Sequence, residues 1–234
     1  MIFITGVSRG LGKAIAELYL SKGEKVTGIG RSSDLEHENF SFISCDLSDL
    51  DAVRQLQFEA FSGEVTLINN AGVIGEIKRL SDMEIVDVDH VMTVNVSAPV
   101  LLTQQIYQHV GNKDLFSLVN ISSGAANRAI PSWASYCASK SALNMHTETF
   151  FLEEQEKGNH PKVYCVAPGV IDTGMQSEIR SANPENFSSS ENFHNLKEED
   201  KLFSPKEAAE RLFLLTESEY DAELFYDLRD ITVK

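Results

Sequence analysis

Cysteine is scarce in this chain: the three present, Cys45, Cys137 and Cys165, are odd in number, far apart and set among apolar neighbours. That usage excludes a disulfide framework and offers no metal-ligand spacing, so the thiols read as buried groups in a reducing compartment. The six histidines are equally scattered and suggest no metal site. Basic residues are also in short supply, with 20 Lys and Arg against 35 Asp and Glu and a formal net charge of −15. Such a balance repels nucleic acid and anionic membrane surfaces in bulk, while leaving room for a small anion in a local basic pocket. Most of the acidity reads as solubility. Missing too is any apolar stretch near the roughly 20 residues that cross a bilayer. No charged n-region with an apolar run precedes the first strand. The expectation is a cytoplasmic protein with neither a membrane nor nucleic acid as partner.

What is present is a regular alternation of two periods. The 234 residues, 42% hydrophobic and 24% charged, suit one α/β domain with a full core. Short β-rich runs at residues 2–5, 25–29, 40–45, 65–69, 116–122 and 163–167 predict strands. Between them helices are expected after Gly10, over 49–61, over 81–109 and over 133–156. Ser204, Pro205 and Glu207 form an N-cap, N1 and N3 signature for a last helix, followed by a short strand at 224–226. Strands and helices alternating in this way imply a doubly wound parallel sheet with helices on both faces.

The first strand breaks into Gly6-Val7-Ser8-Arg9-Gly10-Leu11-Gly12, and Leu11, Ala14, Ile15 and Leu18 then follow helical spacing until Gly23. Strand, glycine turn and helix make a phosphate cradle, because glycines let the backbone approach an anion that the free N–H groups and helix dipole attract. The turn alone would also serve as a plain connection. The second strand ends in Gly30 and Arg31 where dinucleotide folds place an acidic residue for a ribose 2′-hydroxyl. An arginine there suits a 2′-phosphate, and Arg9 in the first loop can reach the same group, so NADP(H) is favoured over NAD.

Asn120 to Lys140 carries the chemistry. Ser123 follows the fifth strand, Tyr136 comes 13 positions later, and Lys140 lies one helical turn beyond the tyrosine on the same face. A nearby ammonium favours the phenolate and is expected to lower the tyrosine pKa toward neutrality, while Ser123 hydrogen-bonds the oxygen that exchanges a proton with Tyr136. The arrangement suits carbonyl/alcohol interconversion, although a Tyr and Lys at this spacing also arise on surface helices. Asn95, polar among apolar neighbours, is expected to hold backbone or water. Of Asn69 and Asn70, at the carboxyl end of the fourth strand, one is expected to tie adjacent strands. The serine-rich stretch 174–203 reads as a long connection. Its Met175, Ile179, Phe187, Phe193 and Leu196 suit either a mobile lid over an apolar substrate or a loose surface loop.

Taken together, Thr5–Gly12, Asn69–Gly72, Asn95, the Ser123/Tyr136/Lys140 set and Pro168–Thr173 resemble the short-chain dehydrogenase/reductase family over residues 2 to about 175. The resemblance implies a Rossmann-like single domain with Tyr136 as catalytic acid, Ser123 orienting the carbonyl, Lys140 also gripping the nicotinamide ribose, and Asn95 holding a water beside Lys140. It further implies that Asp46 and Leu47 border the adenine. Asn70, Ala71 and Gly72 would lie along the adenosine side, with Pro168, Gly169, Ile171 and Thr173 near the carboxamide. The tail is most similar to sepiapterin reductases and bacterial benzil-reductase-like enzymes, yet Leu224 stands where the former carry a pterin-binding carboxylate. The implied activity is NADPH-dependent reduction of a small hydrophobic carbonyl substrate by a homodimer or homotetramer. A non-catalytic NADP-binding redox sensor and an alcohol dehydrogenase working oxidatively stand as alternatives.

Overall fold

The computed structural model describes residues 1–233. Seven strands, β1 (Ile2–Thr5), β2 (Val26–Gly30), β3 (Phe40–Ser44), β4 (Val65–Asn69), β5 (Phe116–Ile121), β6 (Lys162–Ala167) and β7 (Phe225–Asp227), form one parallel sheet in the order 3-2-1-4-5-6-7. Along β1 the side chains alternate between faces, as a period of two requires. Ile2 and Ile4 join a core cluster with Leu11, Ile15 and Leu212, while Phe3 joins another with Leu67, Leu102 and Phe116. The first cluster is covered by α1 (Gly10–Ser21) and α8 (Pro205–Glu217). The second lies under α2 (Leu50–Arg54), α4 (Ala98–His109) and α5 (Ala134–Glu156). The strand order reverses direction between β1 and β4, which opens a crevice at their carboxyl ends.

Ser204 caps α8 as expected, accepting from the Glu207 N–H at 3.1 Å. Two helices differ from the sequence-based expectation. The helix over 49–61 stops at Arg54: Asp49 caps it, but Phe58 and Phe61 turn down to meet Phe3 edge-on at 5.6 and 5.5 Å between ring centroids. The Phe61 N–H donates to the His109 carbonyl at 2.8 Å, so the chain at 109–111 supplies the hydrogen bonds that a continued helix would have made. The expected helix over 81–109 begins as α3 (Ile85–Met92), widens to a π-turn at Thr93–Ser97 and resumes as α4. Pro99 causes the widening, because it has no N–H to give to the Asn95 carbonyl and its ring crowds that oxygen.

The helical run Ile85–His109 contains an 18-residue window of mean hydropathy 1.3, contrary to the expectation that no stretch is apolar enough to cross a bilayer. Val91, Val94, Leu102 and Ile106 on it are buried. Packing therefore buries 33% of that window, while Ile85 and Val86 at the start of the run stay exposed.

The stretch 174–203, read from sequence as a long connection, holds α6 (Gly174–Arg180) and α7 (Ser190–Glu198). Ile179, Phe187 and Phe193 bury themselves with Trp133 and Tyr136 in a third cluster. Phe187 stacks on Trp133 at 5.5 Å, and Asp172 receives Lys197 at 2.6 Å. The apolar residues of this stretch were visible in the sequence, but not the partner surface that Trp133 and Tyr136 provide at the start of α5.

Candidate active site

A cavity of about 470 Å³ occupies the crevice. At its floor the first loop turns through Gly6 and Gly10, with φ of +75° and +60°, a region that other residues enter only at a cost. Arg9 precedes α1 in extended conformation without capping the helix by its side chain, and no acidic residue lies in the first turn. The free N–H groups of α1 therefore open toward Ser8, Gly10 and Leu11 on the cavity wall. Gly12 does not line the cavity. A Cβ there would lie 2.3 Å from both the Gly6 carbonyl oxygen and Asn70 Nδ2, so its role is to let the loop, α1 and β4 close together.

At the other rim, Gly30 and Arg31 end β2, and Asp46 and Leu47 follow β3. The Asp46 carboxylate accepts from the Ser48 N–H and hydroxyl at 2.9 and 2.8 Å. Those bonds hold its pKa below the usual carboxylate range, with Arg31 adding to the effect. Arg31 is exposed and, among the described residues, forms no ion pair. The nearby Asp34 is occupied by Lys13 at 2.8 Å. Arg9 lies 4.0 Å from Glu178, both well exposed.

The two asparagines at the end of β4 both tie strands. Asn69 donates to Asn120 Oδ1 on β5 at 2.8 Å and to Thr103 at 3.2 Å, and Asn120 donates to Thr147 at 2.8 Å. Asn70 donates to the Thr5 carbonyl at 2.9 Å, while Thr5 Oγ1 accepts from the N–H groups of Asn70 and Ala71. Asn70, Ala71 and Gly72 thereby become cavity wall.

Tyr136 and Lys140 share one face of α5 and both border the cavity with Ser123. Ser123 Oγ accepts from the Ala125 N–H at 3.1 Å, which leaves its own proton free to donate. Lys140 is 4% exposed, and its Nζ donates to the Ile121 carbonyl at 2.9 Å and lies 5.8 Å from the Tyr136 ring centroid. Desolvation pulls its pKa down to about 8, so the ammonium persists at neutral pH. Desolvation also pushes the Tyr136 hydroxyl upward, opposed by a hydrogen bond from Ser123. The expected lowering by Lys140 is not found: burial dominates and holds the hydroxyl above its ordinary pKa.

Asn95, on the π-turn, is fully buried and does not line the cavity. Its Oδ1 accepts from the Val73 N–H at 2.8 Å, and its Nδ2 donates to the Val73 carbonyl at 2.8 Å and to Ser139 Oγ at 3.0 Å. A spare lone pair on Oδ1 and the main-chain carbonyl of Asn95, which Pro99 has no N–H to reach, are left for water. Gly72 lies between Asn95 and Lys140, where a Cβ would meet Oδ1 at 3.3 Å and Nζ at 3.5 Å.

Pro168, Gly169, Ile171 and Thr173 complete the rim beyond β6. Leu224 packs on the second core cluster and does not line the cavity; Asp227 does, paired with Arg229 at 2.5 Å. Three further residues escaped the sequence reading. Ser139 was missed because nothing in a helical pattern marks a partner for Asn95. Ser132, at φ +74°, donates to the Asn186 carbonyl and so joins the start of α5 to the segment between α6 and α7. Gln176 is buried at the cavity wall without a hydrogen bond to its side-chain oxygen.

An uncapped helix start, two left-handed glycines and a loop closed by Gly12 fit the pyrophosphate of a dinucleotide, with Arg9 and Arg31 at the adenosine end. Comparison with known proteins agrees. The family described as short chain dehydrogenase matches residues 1–184. A benzil reductase ((S)-benzoin forming) of Bacillus subtilis is 36% identical, with 98% of each chain covered. One of Bacillus cereus is 34% identical, covering 93% of this chain and 94% of that one. A crystal structure of a short chain dehydrogenase/reductase from Saccharomyces cerevisiae has a TM-score of 0.83 at 26% identity, covering 98% of this chain and 96% of the other. Fold, cavity and likeness lead to one conclusion: the chain belongs to the short chain dehydrogenase family, oxidoreductases that act on carbonyl and hydroxyl groups with a nicotinamide dinucleotide.

Proposed function

We propose that this protein is an NADPH-dependent carbonyl reductase whose substrate is a hydrophobic ketone or 1,2-diketone. The observation that carries the reading is the meeting of Ser123, Tyr136 and Lys140 on one wall of the cavity that the glycine loop floors. Bound there, a reduced nicotinamide supplies the hydride. Ser123 donates to the carbonyl oxygen and fixes its position, and Tyr136 delivers a proton to that oxygen. Burial suits Tyr136 to this direction, because a hydroxyl with a raised pKa arrives protonated and gives its proton only to a strongly basic developing alkoxide. The Lys140 ammonium, one turn away, stabilises the tyrosinate left behind. Arg9 and Arg31 favour the phosphorylated nucleotide. The likeness to benzil reductases supports a diketone substrate. The test is oxidation of NADPH by the purified protein with benzil; turnover is expected, and no reduction of benzil or any related ketone would overturn the reading.

The segment 174–203 acts in this reading as the substrate lid, since Met175, Ile179 and Phe193 line the cavity. The single tryptophan, Trp133, sits against Phe187 and Phe193 and reports its position. Closure on a ligand should alter Trp133 emission, and an emission blind to ligand would argue for a fixed wall.

A homodimer or homotetramer built on α3 and α5 accounts for the exposed Ile85, Val86, Met145 and Leu152 on those helices. Sedimentation should give an oligomer, and Met145→Glu with Leu152→Glu should shift it toward monomer. A wild-type monomer at micromolar concentration would refute this.

A further inference from the structure

The substrate half of the cavity is apolar, built from Ile130, Trp133, Met175, Ile179 and Phe193. Two hydroxyls, Ser123 and Tyr136, suffice to hold and protonate the oxygen of the carbonyl being reduced. One more polar group lies in this apolar wall without a task. Gln176, in the first turn of α6, is 7% exposed, and its side chain makes no hydrogen bond among the described residues. Its neighbours on the helix, Met175 and Ile179, line the same cavity. Trp133 Nε1, across the third core cluster, is likewise buried without a partner.

A carboxamide oxygen buried with nothing to bond destabilises the fold. Met or Leu would fill the same space without that cost, and a protein that keeps Gln there gains nothing in stability from it. The partner is therefore a group that arrives with the substrate. A carboxamide offers a donor at one end and an acceptor at the other, and rotation of the amide can turn either toward a ligand. It can donate to a carbonyl oxygen or accept from a hydroxyl. We infer that Gln176 binds a second oxygen of the substrate, beside the one that Tyr136 protonates, and so selects vicinal diketones and hydroxyketones over simple ketones. The inference deepens the carbonyl-reductase reading and rests on it. Loss of Gln176 leaves the Ser123, Tyr136 and Lys140 arrangement untouched, so reduction as such survives.

Benzil and benzyl phenyl ketone test this directly, since both carry two phenyl rings on a two-carbon link but only the first has a second carbonyl. The measurement is kcat/KM for each ketone with wild type and Gln176→Met, saturating NADPH, and the thermal midpoint of both proteins. The variant should lose about tenfold with benzil, as expected for one hydrogen bond, and stay within about twofold of wild type with the monoketone. Its midpoint should equal or exceed that of wild type, because an unpaired polar group has been removed from the interior. Equal losses on both ketones, or no loss on benzil, would overturn the assignment of Gln176 while leaving the reductase reading intact. Wild type that reduces neither ketone would overturn both. A variant that loses benzil activity together with stability would show a packing role and also overturn the assignment.

Discussion

Tyr136→Phe should lower kcat for carbonyl reduction by about 10²–10⁴-fold while leaving NADPH affinity within about twofold of wild type. The substitution removes one oxygen and keeps the ring, which is 7% exposed and meets Trp133 edge-on at 5.6 Å. Packing in the third core cluster is thus retained, and the fold should not change. What is lost is the proton. Ser123 remains beside the carbonyl, but its hydroxyl is a far weaker acid than a phenol with an ammonium one helical turn away. The Lys140 ammonium stays in place through its bond to the Ile121 carbonyl. Steady-state rates with benzil, paired with a fluorescence titration of NADPH, separate the two effects. If the variant keeps more than a tenth of the wild-type rate, the proton comes from another group and the role assigned to Tyr136 falls. If it loses nucleotide binding to the same degree as rate, the hydroxyl serves the cofactor rather than the carbonyl.

Arg31→Asp should reduce NADPH affinity by about 10²-fold or more and bring NADH to parity or ahead of it. The estimate combines about 1.5–3 kcal/mol for a lost hydrogen bond to a charged group with repulsion between the new carboxylate and a phosphate. Position 31 follows Gly30 at the carboxyl end of β2, where an acidic side chain accepts from a ribose 2′-hydroxyl. Asp34 cannot take that role unaided while Lys13 holds it at 2.8 Å. Arg9, on the facing loop, remains in the variant, so some affinity for the phosphate should survive; adding Arg9→Ala should remove it. Dissociation constants for NADPH and NADH with wild type and both variants decide the matter. A wild type that binds NADH more tightly than NADPH ends the assignment of the phosphorylated cofactor.

The sheet was legible because its signals are local. The first six strands are short β-rich runs closed by Gly, Pro, Asn or Ser, and in β1, β2, β4, β5 and β6 they are buried along most of their length, so they need little information from elsewhere to be recognised. The glycine turn was legible for the same reason, since Gly6, Gly10 and Gly12 sit where a strand gives way to a periodic helix. So was the pairing of Tyr136 with Lys140, which follows from helical geometry alone. The sequence could place Asn70, Gly72, Ile171 and Thr173 at strand ends, and parallel topology brings those ends to one crevice.

Where the reading departed from the structure, a distant partner made the decision. Residues 55–61 have helical propensity, yet Phe58 and Phe61 gain more from Phe3 and from the backbone at 109–111 than another turn of helix would supply. The polar segment 174–203 folds because Phe187 finds Trp133 and Lys197 finds Asp172, contacts invisible in its composition. The ionisation of Tyr136 was misjudged from spacing, which gives the distance to a lysine but says nothing of how much water is excluded. By itself, then, the sequence determined the strands, the glycine loop and the shared helix face of Tyr136 and Lys140, all set by interactions within a few residues. The packing of 174–203 against Trp133, the raised pKa of Tyr136 and the unpaired Gln176 were decided only by tertiary structure, because burial belongs to the assembled fold and not to any one segment of it.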